Sequence, residues 1–460
     1  MLLNHGIHLG YCTNIHRGET WEETWRGLKE YTLQVKGRVC GGRPYGIGLR
    51  LSEQAARELS APGKIAEFKG WLEANHCYVF TINGFPYGSF HGTRVKEQVF
   101  KPDWTSKARL EYTNLLFDIL AQLLPPGVSG SVSTLPGSHK TFGVGAEELG
   151  AIFENLRLCR EHIETVSTAT GHDLHLGLEP EPLGLFETSG ETLKFFGLYF
   201  DRHPQDKDFF KYVGLNYDTC HLAIEYETPK RALSRITGAG IRLSKLHFSS
   251  ALKLAPTPEM VAKLQAFDEP VYFHQVIASY GPTEPLRRFK DLPDALAFAQ
   301  TNPKDLGEEW RVHFHIPLHA QPTDGFDSTR DHILGAMDWL AQNPAKCQHI
   351  EMETYTWEVL PAEMRAGDVV DQLVKEYDWT LAEMRERQLA EAYQYRRNNA
   401  DCHSLTMGSH FVPYGKQHTS SRRRHTSHRC SRTFQRRTHH GHDLPSAASC
   451  GLSPPAHPGF

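Results

Sequence analysis

The sequence predicts an α/β protein whose main body is a (β/α)8 barrel of the TIM type. Eight short strand-like runs recur along the chain, and several intervals between them are amphipathic segments with apolar residues at helical spacing. Polar residues occupy the carboxyl ends of most of these runs. A doubly wound open sheet would gather its functional groups at one switch point, so this distribution favours the closed barrel.

The predicted strands are followed by turn residues and then, in most cases, by a helical pattern. They span residues 5–12, 45–52, 76–84, 129–136, 173–180, 212–220, 241–250 and 348–357. Amphipathic helices are predicted at residues 52–75, 106–124 and 145–171, because apolar residues recur there every three or four positions. Eight parallel strands alternating with helices close into a TIM barrel.

The long interval between the seventh and eighth strands, residues 251–347, is predicted to be an ordered insertion over the barrel mouth. It contains two further strand-like runs, at residues 270–277 and 310–318, and a helical segment at residues 291–300. A loop of this length without structure of its own would be unusual. Which of the late strand-like runs supplies the eighth barrel strand is left open by the sequence.

The barrel body is predicted to span residues 1–395 and to be followed by a disordered basic tail, residues 396–460. The tail has ten of the 50 Lys and Arg residues but two of the 54 acids, no hydrophobic periodicity and few aliphatic residues. Such a segment buries too little apolar surface to offset the entropy of ordering it. Its arginines suggest nucleic-acid binding, but Phe434 is the single Phe, Tyr or Trp residue within the arginine-rich stretch, residues 422–437, and this scarcity of stacking side chains favours a disordered or even read-through end.

Composition restricts the partners and the compartment. Residues 1–395 carry 40 basic and 52 acidic side chains, a net charge of −12, so nucleic acid is not expected as a partner. The nine cysteines include no C-x-x-C pair, which is typical of reduced thiols in a cytoplasmic protein. The sequence has no apolar run of about 18 residues, so membrane insertion is not expected.

Acids and one or more imidazoles at the predicted strand ends indicate a metal site. Glu179 is pinned before a proline where strand five ends, Asp218 and His247 end strands six and seven, and Glu353 lies on the last strand. Converging carboxylates would repel each other unless a cation compensated them. Mixed oxygen and nitrogen donors suit Mn²⁺, Zn²⁺, Co²⁺ or Fe²⁺ better than Mg²⁺. Glu351, one layer deeper on the same face, is predicted to be structural.

Further histidines are candidates for a second metal or for substrate binding. His221 follows strand six, and His313 and His315 share one face of a strand-like run because side chains alternate along a strand. His91 and His139 occupy Gly/Pro-rich loops after strands three and four, where barrel enzymes place substrate groups. Each of these residues alone is equally explained as a hydrogen-bonded core histidine or a plain turn residue.

Motifs at the predicted strand ends resemble those of a known superfamily. Glu-Pro-x-Pro after strand five, Asp-x-x-His after strand six, His after strand seven and Glu on the last strand are similar to the xylose-isomerase-like TIM-barrel superfamily, which includes sugar isomerases, ketose epimerases and endonuclease IV. More narrowly, the sequence resembles the metabolite-traffic protein EboE family across roughly residues 1 to 390. That resemblance is carried by "YCTNIHRGETWEETW", "NGFPYGSFHG", "STLPGSHK" and "EMETYTW".

The resemblance implies a metal-dependent sugar isomerase or epimerase that acts on a small polar metabolite in secondary-metabolite precursor processing or traffic, with other proteins of that system as partners. It implies a divalent metal held by Glu179, Asp218, His247 and Glu353, and His221 as a substrate or second-metal residue. In ketose epimerases of this superfamily the metal holds two adjacent substrate oxygens while one glutamate removes a proton and another returns it. Glu179 and Glu353 are therefore the expected catalytic pair.

Two alternatives stay open. An endonuclease-IV-like phosphodiester hydrolase would use the extra histidines, although its DNA-binding loops should be basic and the body is acidic. A barrel that binds a polar metabolite and passes it to a partner without catalysis is also compatible with the same fold, because function depends on the site.

Overall fold

The computed structural model describes residues 1–88, 96–321, 325–361, 365 and 367–391. These residues form thirteen strands, which belong to two separate sheets. In chain order the strands are β1 His8–Tyr11, β2 Tyr45–Arg50, β3 Cys77–Asn83, β4 Gly130–Thr134, β5 Leu174–Leu178, β6 Val213–Asp218, β7 Leu243–Phe248, β8 Ala251–Leu254, β9 Val276–Ser279, β10 Arg287–Phe289, β11 Glu309–His315, β12 Phe326–Ser328 and β13 His349–Met352.

The larger sheet is the predicted barrel. Its eight strands are parallel and follow the order β1-β13-β7-β6-β5-β4-β3-β2, and a parallel bridge between Cys12 and Gly48 links β1 to β2. The barrel strands are buried on both faces, as expected when helices cover the outside of a parallel sheet. The predicted (β/α)8 fold is confirmed, and β13, from the run at residues 348–357, is its eighth strand.

Helices connect the strands. The described α-helices are α1 Trp21–Gly27, α2 Leu33–Val39, α3 Glu53–Leu59, α4 Lys64–Ala74, α5 Lys107–Leu123, α6 Ala146–Thr170, α7 Ser189–Arg202, α8 Phe209–Tyr212, α9 Thr219–Ile224, α10 Pro229–Gly238, α11 Pro258–Leu264, α12 Leu292–Thr301, α13 Arg330–Gln342 and α14 Val369–Glu386. The single helix predicted at residues 52–75 is two, α3 and α4, because Pro62 and Gly63 separate them and Gly63 has a φ of 83°.

The interval after β7 builds the second sheet. Its five antiparallel strands follow the order β10-β9-β11-β8-β12, and together with α11 and α12 they enclose an apolar core distinct from that of the barrel. The predicted run at residues 310–318 corresponds to β11 and the predicted helix at residues 291–300 to α12, whereas the run at residues 270–277 overlaps β9 only at residues 276–277, because residues 270–275 form no strand. This sheet matters for function because the end of β11 reaches the carboxyl ends of the barrel strands.

Strand register brings the polar residues of three neighbouring barrel strands together. Asp218 on β6 and Glu351 on β13 both lie directly beside His247 on β7. In a parallel sheet such partners share a layer and a face. Glu353 follows β13 by one residue, and its backbone N–H donates to the carbonyl of Phe248 at the end of β7. The register therefore places these side chains at the carboxyl-terminal mouth of the barrel.

Candidate metal centre

Four predicted ligands meet at the barrel mouth. Glu179, Asp218, His247 and Glu353 each offer a ligand atom, and these atoms all lie within 4.8 Å of one another. His247 Nδ1 is 3.1 Å from Oε1 of Glu179, 3.2 Å from Oε2 of Glu353 and 3.8 Å from Oδ2 of Asp218. All four residues are buried, and Asp218 and His247 are fully so. The carboxyl ends of β5, β6, β7 and β13 thus contribute one donor each.

Hydrogen bonds orient the carboxylates toward this point. Asn216 Nδ2 donates to Oε2 of Glu179 over 2.7 Å, and Asn14 Nδ2 donates to Oε1 of Glu353 over 2.8 Å. In each glutamate the other carboxylate oxygen therefore faces His247. Ser249 Oγ donates to Oδ1 of Asp218 over 2.6 Å. Fixing one oxygen of each carboxylate by an outer donor is the way in which proteins hold metal ligands in place.

The second nitrogen of His247 contacts a buried ion pair. His247 Nε2 lies 3.0 Å from Oε2 of Glu351, and Glu351 also forms a salt bridge with Lys245. Both partners have no exposed side-chain surface. A carboxylate that accepts Nε2–H leaves the lone pair on Nδ1, the nitrogen that faces the three other carboxylates. Glu351, predicted from sequence to be structural, thus holds the candidate ligand His247 in one tautomer.

Gly48 on β2 makes room for this carboxylate. A Cβ atom built on Gly48 would collide with Oε1 and Cδ of Glu351. The strand can pass this point in the barrel interior because glycine lacks a side chain. The position of Glu351 therefore depends on a residue of β2, which is separated from β13 in the barrel only by β1 but lies far away in sequence.

The charges of this cluster are unbalanced. Burial and the neighbouring carboxylate of Glu353 raise the pKa of Glu179, and burial raises the pKa of Asp218. Burial alone would lower the pKa of His247, but Glu353 and Glu179 raise it well above the usual value. Protein groups alone therefore crowd negative charge at the mouth, and protons must partly neutralise it. A divalent cation would displace those protons and supply the missing positive charge.

The donor set fits a divalent metal. Within the described residues, Oδ2 of Asp218 is buried and has no hydrogen-bond partner, although it faces the same point as the other ligand atoms. Leaving a buried carboxylate oxygen unpaired is costly, and coordination would satisfy it. Three carboxylates with one imidazole suit Mn²⁺, Co²⁺, Fe²⁺ or Zn²⁺.

Three further imidazoles lie next to this cluster. The ring centroid of His221 is 4.9 Å from that of His313 and 5.5 Å from that of His315, and the last two are 5.3 Å apart. His221 Nδ1 donates to the carbonyl of Pro180 over 2.8 Å, and His315 Nδ1 donates to the carbonyl of Glu353 over 3.1 Å. Their Nε2 atoms therefore carry lone pairs, as metal-binding histidines require.

This group of three, called here the imidazole cluster (His221, His313 and His315), is held neutral. Burial lowers the pKa of all three side chains. Nε2 of His313 and Nε2 of His315 are buried with no hydrogen-bond partner among the described residues. Ligand atoms of His221 and His315 also lie within 4.8 Å of Asp218, so Asp218 is shared by both groups.

The two remaining predicted residues, His139 and His91, are not among the described side chains that the structure brings to this site. His139 does not line the cavity described below; its ring packs against Phe100, with 4.8 Å between centroids, and its Nδ1 accepts from Thr141 N. His91 lies outside the described residues. Glu181, which sequence reasoning did not single out, has Oε2 at 3.4 Å from Nδ1 of His221. Its place two residues after Glu179 in the Glu-Pro-Glu-Pro phrase was the available signal.

A cavity opens above the cluster of four candidate metal ligands. Glu179 and Glu353 line it, whereas Asp218 and His247 do not. Its lining side chains are Asn14, Asn83, Phe85, Pro86, Lys96, Val99, Phe100, Glu179, Glu181, Pro182, His221, Tyr272, Phe273, His313, Glu353 and Tyr355. A small molecule in this cavity would contact Glu179 and Glu353, while the side chains of Asp218 and His247 stay beneath it.

Comparisons with known proteins give similarity in fold only. No protein-family model matches the sequence, and no curated protein matches it. D-allulose 3-epimerase from Methylomonas sp. is 10% identical with a TM-score of 0.46, over 83% of this chain and 100% of that chain. D-psicose 3-epimerase from Clostridium cellulolyticum H10, solved with D-tagatose, is 14% identical with a TM-score of 0.45, over 83% and 99%.

An IolI protein solved with a zinc atom is 12% identical with a TM-score of 0.43, over 83% of this chain and 99% of that chain. These solved structures include sugar epimerases and a zinc-binding protein. At such identities and scores they carry no assignment of activity, and the barrel fold stands on the strand order described above. None of the described helices is long and apolar enough to cross a lipid bilayer.

Proposed function

We propose that this protein is a metal-dependent isomerase or epimerase that acts on a small metabolite presenting two adjacent oxygens. The observation that carries the proposal is the convergence of Glu179, Asp218, His247 and Glu353, whose ligand atoms lie within 4.8 Å of one another. Of these four residues, only the two glutamates line the cavity above. A divalent cation bound there would polarise a substrate carbonyl and acidify the neighbouring C–H bond.

The two glutamates are the proposed proton-transfer groups. They come from β5 and β13 strand ends, which lie on different sides of the barrel mouth with β6 and β7 between them. Each has one oxygen held by an asparagine, so the carboxylate cannot swing away from the centre. A carboxylate on either side of a substrate carbon is what removal of a proton from one face and its return on the other require.

Solvent isotope exchange tests this proposal. The protein, stripped of metal and reloaded with Mn²⁺, Co²⁺ or Zn²⁺, is incubated in D₂O with a panel of ketoses and polyol-derived ketones. If the substrate gains deuterium at the carbon next to its carbonyl with the metal-loaded protein, and not with the stripped protein, the isomerase is supported. Stoichiometric metal with tight metabolite binding and no exchange would instead support the non-catalytic carrier.

A phosphodiester hydrolase is the second candidate, and the imidazole cluster is the observation that favours it. Two neutral imidazoles with free Nε2 lone pairs and a shared Asp218 are suited to a second divalent ion beside the first. Paired metal ions stabilise both the attacking and the leaving oxygen of a phosphoryl displacement. Cleavage of an abasic-site oligonucleotide by the protein with two metals, and no isotope exchange on ketoses, would favour this candidate.

The cellular role is a further part of the proposal. The resemblance to the EboE family suggests work on secondary-metabolite precursors together with other proteins of a metabolite-traffic system. A reducing, cytoplasmic location is supported by the described cysteines Cys12, Cys40, Cys77, Cys159, Cys220 and Cys347, which are free and buried. Affinity purification of the tagged protein from its own cells would test for such partners directly.

A further inference from the structure

We infer that the substrate of this centre carries an apolar, ring-sized body joined to its metal-binding oxygens. This inference rests on the proposed function and names the class of substrate for the same site. It starts from the way in which polar and apolar side chains are distributed around the cavity above the candidate ligands. The two ends of that cavity differ in chemistry, so a matching ligand must also have two different ends.

Aromatic rings form one wall of the cavity, called here the aromatic wall (Phe85, Phe100 and Phe273). The rings of Phe85 and Phe100 meet edge to face with 5.3 Å between centroids. His139 packs behind them, 4.8 Å from Phe100 and 6.4 Å from Phe273 in a stacked arrangement. The cation of Lys290, 4.9 Å from the ring centroid of Phe273, helps to hold that ring in place. The wall is thus a packed set of rings.

Other apolar surfaces extend this wall. Pro86, Val99 and Pro182 line the same cavity, as do the rings of Tyr272 and Tyr355, which meet at 5.3 Å between centroids. A cavity with largely apolar walls and a few convergent polar groups is typical of small-molecule sites. Apolar side chains that face a cavity gain stability when a ligand displaces the water next to them.

The polar side chains gather near the metal cluster and are largely engaged there. Asn14 and Asn83 both donate to Oε1 of Glu353, at 2.8 and 3.3 Å. The ammonium of Lys96 lies 5.1 Å from the ring centroid of Phe273 and is engaged in a salt bridge with the carboxylate of Asp291. The three rings of the aromatic wall themselves offer no hydrogen-bonding group to additional hydroxyls.

A free hexose is a poor match to such a cavity. After two adjacent oxygens bind at the floor, its other hydroxyls would face the aromatic wall and lose their hydrogen bonds to water without replacement. A ring with few polar substituents would instead bury its apolar surface there and make edge-to-face contacts with the phenylalanines. The class of substrate that fits is a metabolite with a chelating oxygen pair at one end and an apolar ring at the other.

Two chelators that differ only in their body test this inference. Acetohydroxamate and benzohydroxamate both bind metals through two adjacent oxygens, and only the second has a ring. Titration calorimetry on the Co²⁺-loaded protein measures both affinities, while the cobalt absorption spectrum reports that each probe engages the metal. We expect benzohydroxamate to bind at least about tenfold more tightly, because its ring is removed from water.

Variants of the cavity give the matched controls. Phe273→Ala, which removes part of the wall, and Val99→Trp, which fills the space, should each abolish most of the preference for benzohydroxamate. Phe298→Ala, in α12 and away from the cavity, should keep it. Equal affinities in a protein that contains its metal overturn the inference and leave the proposed function standing. A protein that takes up no cobalt overturns the proposed function and this inference together.

Discussion

His247 donates Nε2–H to Glu351 over 3.0 Å, and the same carboxylate forms a salt bridge with Lys245 in the closed interior of the barrel. Glu351 and His247 are direct cross-strand neighbours on β13 and β7. A group that never touches a ligand in the cavity therefore decides which nitrogen of His247 faces the candidate metal site. This relationship gives the first prediction.

Glu351→Gln should weaken metal binding while the barrel still folds. The amide keeps the size of the side chain but leaves the Lys245 charge unpaired and weakens the hold on His247. Loss of such an outer partner typically costs about 10- to 100-fold in metal affinity. Competition with a chromophoric chelator measures this, and Glu22→Gln, an exposed acid on α1, is the control. Unchanged affinity in Glu351→Gln would show that His247 needs no such partner.

Gly48→Ala should have the same effect, acting from β2, two strands away from Glu351 around the barrel. Its new Cβ would occupy the place of the Glu351 carboxylate and push that group away from His247. The matched control is Gly70→Ala in α4, where a Cβ would meet no atom within 4 Å. That control should keep full metal affinity and gain slightly in stability, because alanine favours a helix interior. Full affinity in Gly48→Ala would contradict the assigned role of Glu351.

His315→Ala should reduce the number of metal ions bound per chain without emptying the first site. His315 belongs to the imidazole cluster and is not one of the four donors around His247. Equilibrium dialysis against Zn²⁺ is expected to give two equivalents for the original protein and one for the variant. His172→Ala, a half-buried histidine that belongs to neither group of ligands, is the control. A single equivalent in both proteins would leave the imidazole cluster with a substrate-binding or structural role.

Glu376 should make the stability of the protein fall as the pH rises through the weakly acidic range. Burial raises the pKa of this carboxyl from 4.5 to about 7 in the folded protein. Below pH 4.5 the group is protonated in both folded and unfolded chains, and between these two values only the folded chain retains the proton. Unfolding free energy therefore decreases with pH by about 3 kcal/mol from this group.

Urea denaturation of the original protein and of Glu376→Gln at pH 4.5 and pH 8 measures this contribution. The amide does not titrate, so the variant should lose less stability over that interval. Glu386→Gln, an exposed glutamate at the end of the same helix, should behave like the original protein. If Glu376→Gln shows the same pH dependence as the original protein, the buried carboxyl is not responsible.

The convergence of the main cluster could be predicted from the sequence because it depends on strand ends alone. In a parallel barrel all carboxyl ends meet at one mouth, so Glu179, Asp218, His247 and Glu353 needed no knowledge of register. Lys245 was within reach of the same reasoning, since it precedes His247 by two residues and shares its face. That Glu351 pairs with His247 depends on the register between β13 and β7, which sequence alternation does not fix.

The rest of the site depends on tertiary contacts. His313 and His315 share a strand face, but only the pairing of β11 with β8 and β9 in the second sheet brings them beside His221. Phe100 ends a short 3-10 helix, Lys96–Phe100, and Phe273 lies in an irregular segment far away in the chain, so neither belongs to a periodic pattern. Their meeting in one wall follows from the packing of the insertion against the barrel loops, which no local propensity encodes.

The most direct test of the central claim is elemental analysis of the purified protein and of two variants, Glu179→Gln and His247→Ala. The account predicts at least one equivalent of a divalent transition metal in the original protein. Each variant should lose the metal of the first site, with circular dichroism unchanged because the barrel core is untouched. Full metal occupancy in both variants, or no bound metal in the original protein after reloading, would contradict the claim that these strand ends form a metal centre.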